Sequence, residues 1–195
     1  EAILRDFRTL NHTLWRRYEA RELTKHEVFS RRFELLLRDF QLPFDYKRLN
    51  ESFLDHLAGV PHLNDGAIDI CSWCSARAVL GAVTNGHGPT QKRRLVSSQL
   101  MSYFRCVVIS DEVGVAKPAP EIFQIALQAS GLTREHRVLM IGDSYQADIV
   151  GAAQSGFDSC WFNPAGQEQR GALNPTFIIK SLVELKNIVA SNAQL

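Results

Sequence analysis

Three short stretches carry side chains suited to phosphate and cation chemistry. Thr84-Asn85-Gly86 offers a hydroxyl, an amide and a glycine that lets backbone approach a ligand. Lys117 precedes Pro118 and Pro120, whose rings stiffen its loop and leave Glu121 to open the next helix, so one ammonium is presented from a restrained backbone. In "VLMIGDSYQADIVGAA", residues 138–153, Gly142-Asp143 closes an apolar run and Asp148 follows within the next turn and a half. Two carboxylates at one strand end suit a hard, oxygen-seeking cation, above all Mg2+ bridging protein and phosphate. Each stretch has a plainer alternative: a turn for Thr84-Asn85-Gly86, a solvated surface for Lys117, and a helix cap for Asp143 with Asp148 on the surface. Capping accounts for one acid and leaves the other unexplained.

These residues need elements to hold them. After Pro61, short apolar runs alternate with helical patterns: AVLGAVTN, CVVIS, VLMIGDS, DSCWFN and TFII read as strands. Between them QKRRLVSSQLMSYF, EIFQIALQAS and QADIVGAAQS read as helices, and Ser181-Leu182-Val183-Glu184 caps a last one. Alternation of this kind means crossovers and an open parallel α/β sheet, in which ligands sit outside the carboxyl ends of the strands. The three stretches fall at those ends.

Residues 1–60 follow a different pattern. Ile3, Leu4, Phe7, Leu10, Leu14 and Tyr18 recur at three- and four-residue steps, which predicts one helix with an apolar face. Thr24-Lys25-His26-Glu27 is a capping-box pattern that opens a second helix carrying Val28, Phe33, Leu36, Leu37 and Phe40. A third runs from about Asp45 and stops at Gly59, with Pro61 behind it. This segment reads as all helix.

At 195 residues and 45% hydrophobic, the chain is long enough to bury a sizeable core. A formal charge of +1, with acids and bases interspersed, lacks the footprint of a nucleic-acid or membrane-surface binder. No apolar run approaches the roughly 18 residues of a membrane span, which sets the expectation of a soluble cytoplasmic protein. Cys71 and Cys74 have redox-motif spacing, but no second such pair completes a zinc site, and the pair reads as buried structure. Asp65 and Asp69 read as helix caps, and His87 as a loop residue.

Thr84-Asn85-Gly86, the Lys-Pro loop in "EVGVAKPAPEIF" and "GDSYQADIVGA", in this order and at these separations, resemble the second, third and fourth motifs of the haloacid dehalogenase superfamily of phosphatases. The resemblance covers about residues 62–190. "TNGHGPTQKRRL", "VISDEVGVAKP" and "SCWFNP" look most like its pyrimidine 5'-nucleotidase branch. It implies a Rossmannoid three-layer parallel sheet over 61–195 and an all-helical cap over 1–60 that screens substrate from water. It also implies Mg2+ as cofactor and a small phosphate ester, a nucleoside monophosphate, as substrate. Carried over residue by residue, catalytic roles fall on Thr84, Asn85, Lys117, Asp143 and Asp148. Phosphate binding falls on Thr84, Asn85, Gly86 and Lys117, and metal binding on Asp143 and Asp148.

The family's first motif, a central strand ending in Asp-x-Asp, has no counterpart ahead of the first helical stretch, which begins at Glu1. The resemblance places that strand between the one ending at Thr84 and the one ending at Asp143, and makes its first Asp the nucleophile. The expectation is that the 195-residue chain alone turns over negligibly. A non-catalytic nucleotide binder and a haloacid dehalogenase, which attacks carbon with the same Asp, remain the alternatives.

Overall fold

The five expected strands all form, and all pair in parallel. The computed structural model describes residues 1–60, 62–169 and 171–192; Pro61 lies outside the described residues. The chain divides into two compact units, Glu1–Gly59 and Val60–Leu195.

The first unit is helical: α1 (Ala2–Glu19), α2 (Lys25–Asp39) and α3 (Tyr46–Gly59). The capping box forms as its spacing requires, with Glu27 N–H donating to the Thr24 hydroxyl and Thr24 N–H donating to the Glu27 carboxylate. Asp45 caps α3 by accepting from Lys47 and Arg48 N–H at 2.7 and 3.2 Å. The aromatic residues pack together: the Phe7 ring stacks on Phe33 at 5.1 Å, and Phe53 stands edge-on to both. Arg32 is buried among them, its guanidinium carbon 4.9, 5.3 and 4.7 Å from the rings of Phe29, Phe33 and Phe53. Burial pushes its pKa down to about 10, and Asn50 Oδ1 accepts two of its N–H groups. Ile3 and Leu4, the start of the expected apolar face of α1, are exposed.

In the second unit α4 (Ala67–Ser75) precedes β1 (Gly81–Thr84). Gly66 in the left-handed region starts α4, so Asp65 and Asp69 do not cap it with their side chains. Next come α5 (Gly88–Ser97), β2 (Cys106–Ile109), α6 (Ser110–Val113) and α7 (Pro120–Ala129). The helix expected over 91–104 breaks after Ser97, where Gln99 turns to a φ of 62° and a short 3-10 turn follows. Then come β3 (Leu139–Gly142), a π-helical turn Tyr145–Val150, α8 (Gly151–Gln154), β4 (Asp158–Phe162), β5 (Phe177–Ile179) and α9 (Leu185–Asn192).

The strands form two sheets among the described residues. In one, β1 lies beside β2 with Thr84 opposite Ile109; in the other the order is β3-β4-β5, with Gly142 opposite Trp161. Helices cover them through two apolar clusters: Val108, Ile122 and Phe123 between β2 and α7, and Ile70, Cys74, Cys160, Ile179 and Leu185 under α4 and α9. Cys71 and Cys74 are part of that second packing, and burial raises both thiols. No helix among the described residues is long and apolar enough to cross a membrane.

Candidate functional site

Lys117 joins the two sheets at their carboxyl ends. Its Nζ donates to the Val83 carbonyl of β1 at 2.8 Å and to Asp148 Oδ1 at 2.6 Å. Its side chain is only 10% exposed and that of Asp148 only 4%, so water screens the pair weakly. Two of three ammonium protons are thus directed, and the third remains for a ligand. The Lys117-Pro118 peptide is cis.

Asp148 reaches Lys117 because the chain does not make a plain α-helix after β3. Ser144 starts the π-helical turn: its hydroxyl accepts from Ala147 N–H at 3.0 Å, and its carbonyl accepts from the N–H of both Asp148 and Ile149. Such wide turns cluster at functional sites, where they re-aim a side chain. Ser144 N–H also donates to Asp148 Oδ2 at 3.0 Å, which engages both carboxylate oxygens. Gly142 makes room for them, since a Cβ there would collide with the Asp148 carboxylate. Asp148 is therefore a buried partner of Lys117 rather than a surface acid, with both carboxylate oxygens engaged.

Asp143 is the open carboxylate. It is exposed, its side chain makes no hydrogen bond to protein among the described residues, and the helix-capping alternative falls to Ser144 instead. Trp161 Nε1 holds the Asp143 carbonyl at 3.0 Å, fixing the backbone that presents it. Among the described residues no group of three or more His, Cys, Asp or Glu side chains forms a closed metal site. A single exposed carboxylate is the kind of donor through which Mg2+ is held together with water and substrate oxygens. Asp143 is the exposed carboxylate of this donor set, and Asp148 the buried one.

At the end of β1, the Thr84 hydroxyl oxygen accepts from Gly86 N–H at 3.0 Å, which leaves its proton for a phosphoryl oxygen. Two expected phosphate contacts are otherwise engaged. The Asn85 amide is buried and bonds at both ends to the Lys117 peptide: Nδ2 donates to Lys117 O and Oδ1 accepts from Lys117 N–H, each at 2.9 Å. Gly86 gives its N–H to Thr84, and the space beside its Cα is filled by Gln91. The His87 ring sits 2.9 Å from the Thr90 hydroxyl at the start of α5.

Sequence reasoning missed three supports. Ser144 was visible in principle as a Ser heading a helical run. Asp111, whose Oδ2 accepts from Gly88 N–H at 2.9 Å and ties the end of β2 to α5, and Trp161 act across the fold and leave no local signal.

The profile of the haloacid dehalogenase-like hydrolase family matches residues 3–156. The chain is 34% identical over 187 residues to pyrimidine 5'-nucleotidase YjjG of Escherichia coli, covering 96% of this chain and 82% of that protein. It is 32% identical over 185 residues to pyrimidine 5'-nucleotidase PynA of Streptococcus pneumoniae, covering 94% and 78%. Among solved structures, the HAD-hydrolase YfnB from Bacillus subtilis bound to magnesium is similar at a TM-score of 0.90 and 33% identity, over 97% of this chain and 83% of that one. An L-2-haloacid dehalogenase from Xanthobacter autotrophicus has a TM-score of 0.77 at 19% identity over 98% of this chain and 87% of that one, a likeness of fold alone.

Proposed function

Since this chain belongs to the haloacid dehalogenase-like hydrolases, we propose that it is a Mg2+-dependent phosphomonoesterase acting on pyrimidine nucleoside 5'-monophosphates. The observation that carries this reading is the Lys117 ammonium, held between the β1 carbonyl of Val83 and the Asp148 carboxylate with one proton undirected. The pyrimidine preference rests on the two nucleotidase relatives.

In the proposed reaction an Asp carboxylate oxygen attacks phosphorus and the ester P–O bond breaks. The nucleoside oxygen leaves with a proton from a second acid. Water then attacks phosphorus and gives a proton back to that second group, the bond to the carboxylate oxygen breaks, and inorganic phosphate departs with both carboxyl groups restored. Lys117 and the Thr84 hydroxyl hold the charge that develops on the phosphoryl oxygens, work that preorganised donors do without rearrangement. Asp143 would hold Mg2+, which when bound neutralises phosphoryl charge. The attacking Asp is assigned to a strand lying between β1 and β3. In support, each of those strands is hydrogen-bonded to a neighbouring strand on one side only among the described residues, and Ile141 of β3 is exposed.

The test is phosphate release by the product of the gene encoding this chain, translated from its initiating codon. Uridine and thymidine monophosphates are compared with purine nucleotides and sugar phosphates. Faster release from the pyrimidine nucleotides is expected, with negligible release from residues 1–195 alone. Halide release without phosphate release, or nucleotide binding without turnover, would overturn the reading.

A further inference from the structure

The paired bonds between Asn85 and Lys117 point to a role for Asn85 that differs from holding substrate. An amide that meets the backbone C=O and N–H of one residue through its own N–H and carbonyl holds that residue's backbone in position and orientation, as a strand neighbour would. Asn85 lies directly after β1, and Lys117 lies in the loop between α6 and α7, 32 residues away in sequence. Asn85 is 8% exposed, so the two bonds are shielded from competing water. The same loop is fastened twice more by the Lys117 side chain, to Val83 of β1 and to Asp148. Val83 and Asn85 flank Thr84, so the residue that offers its hydroxyl to a ligand stands between two residues that grip the lysine.

We infer that Asn85 is a positioning residue: its amide clamps the Lys117 peptide to the end of β1, so that the ammonium and the Thr84 hydroxyl stand in fixed register before any ligand arrives. This deepens the phosphatase reading and rests on it for the kinetic consequence, but the clamp itself is a property of the folded chain. A preorganised donor acts without reorganisation during reaction, and a small misplacement is costly in rate. Loss of the clamp therefore falls on kcat, whereas loss of a phosphate ligand falls on substrate binding as well.

The first measurement needs no turnover. Residues 1–195 are treated with a lysine-acylating reagent, and the rate at Lys117 is compared by peptide mapping with that at exposed Lys180. Lys117 reacts slowly in the wild type; in Asn85→Ala its relative rate rises by about tenfold or more as the released loop exposes the amine. Asn85→Asp keeps the acceptor for Lys117 N–H and loses the donor to Lys117 O, and gives a smaller rise. An unchanged ratio in both variants overturns the clamp whatever the protein's activity, as does whole-chain unfolding of both, which would make Asn85 a core residue.

The second measurement is a kinetic cycle on the gene product with uridine monophosphate. Asn85→Ala lowers kcat by about 10- to 100-fold with KM within about threefold. On a Lys117→Ala background it costs less than about threefold further, because it acts through that lysine. Full additivity, or a loss confined to KM, would make Asn85 a substrate contact instead. A wild type with no phosphatase activity would remove the functional reading and leave the labelling result standing.

Discussion

The Lys117–Asp148 pair sets the stakes at the level of single residues, because each buried charge depends on the other. Asp148→Ala leaves an ammonium with little access to water and is expected to lower unfolding free energy by about 3–5 kcal/mol in urea titration. Asp148→Asn retains an acceptor for Lys117 and costs less. Two glycines give a contrast of similar kind. Ala at Gly142 pushes on the buried Asp148 carboxylate and should lower stability by about 1–3 kcal/mol, whereas Ala at Gly86 displaces the flexible Gln91 side chain and costs less. Thermal melts of both variants separate the cases. Residue types and spacing singled out Thr84, Lys117, Asp143 and Asp148, because a hydroxyl, an ammonium and carboxylates at strand ends suggest phosphate and cation chemistry. They did not disclose that the Asn85 amide serves the Lys117 peptide, since a clamp and a phosphate ligand call for the same side chain.

Among the elements, what could be read depended on how local the cause was. The five strands and the capping boxes at Thr24 and Ser181 follow from neighbouring residues, and they form where the spacing puts them. The turn after β3 was expected as a plain helix over 146–155, yet the chain makes a π-helical turn there because Asp148 is drawn to a lysine 31 residues away. Its distant partner leaves no trace in local periodicity. Arg32 on α2 likewise depends on distant partners: three rings and Asn50 surround it. Arg32→Ala should destabilise that unit by about 2 kcal/mol or more, and Arg32→Lys should not restore the loss, because an ammonium lacks the planar fork that spans Asn50 and the rings. Chemical denaturation followed by Trp15 fluorescence reads this. On β4, burial pushes the Cys160 thiol up to about 12, with the Glu184 charge adding to it. Cys160 is therefore a thiol at neutral pH and should resist iodoacetamide in the native state, reacting only after unfolding in urea; mass spectrometry of the labelled peptides checks it.

For the molecule as a whole, two parallel sheets are tied together through one lysine, and Asp143 stands exposed just past the end of β3. A doubly wound α/β fold gathers its chemistry where such strand ends converge, which is why motifs far apart in sequence act on one ligand. The strand pattern made this class of fold legible from composition and periodicity. The separation into two sheets was not legible from periodicity, but it falls where the resemblance places a further strand, between the one ending at Thr84 and the one ending at Asp143. The central claim is that Asp143 presents a divalent cation to a phosphoryl group held by Thr84 and Lys117. Its most direct test is the rate of phosphate release from uridine monophosphate by the gene product, titrated with Mg2+ after chelation, for the wild type and Asp143→Asn. Saturable activation by Mg2+ is predicted for the wild type, with about tenfold or more Mg2+ required, or activity lost, in Asp143→Asn. Turnover that ignores chelation, or an identical Mg2+ curve in the variant, would contradict the account.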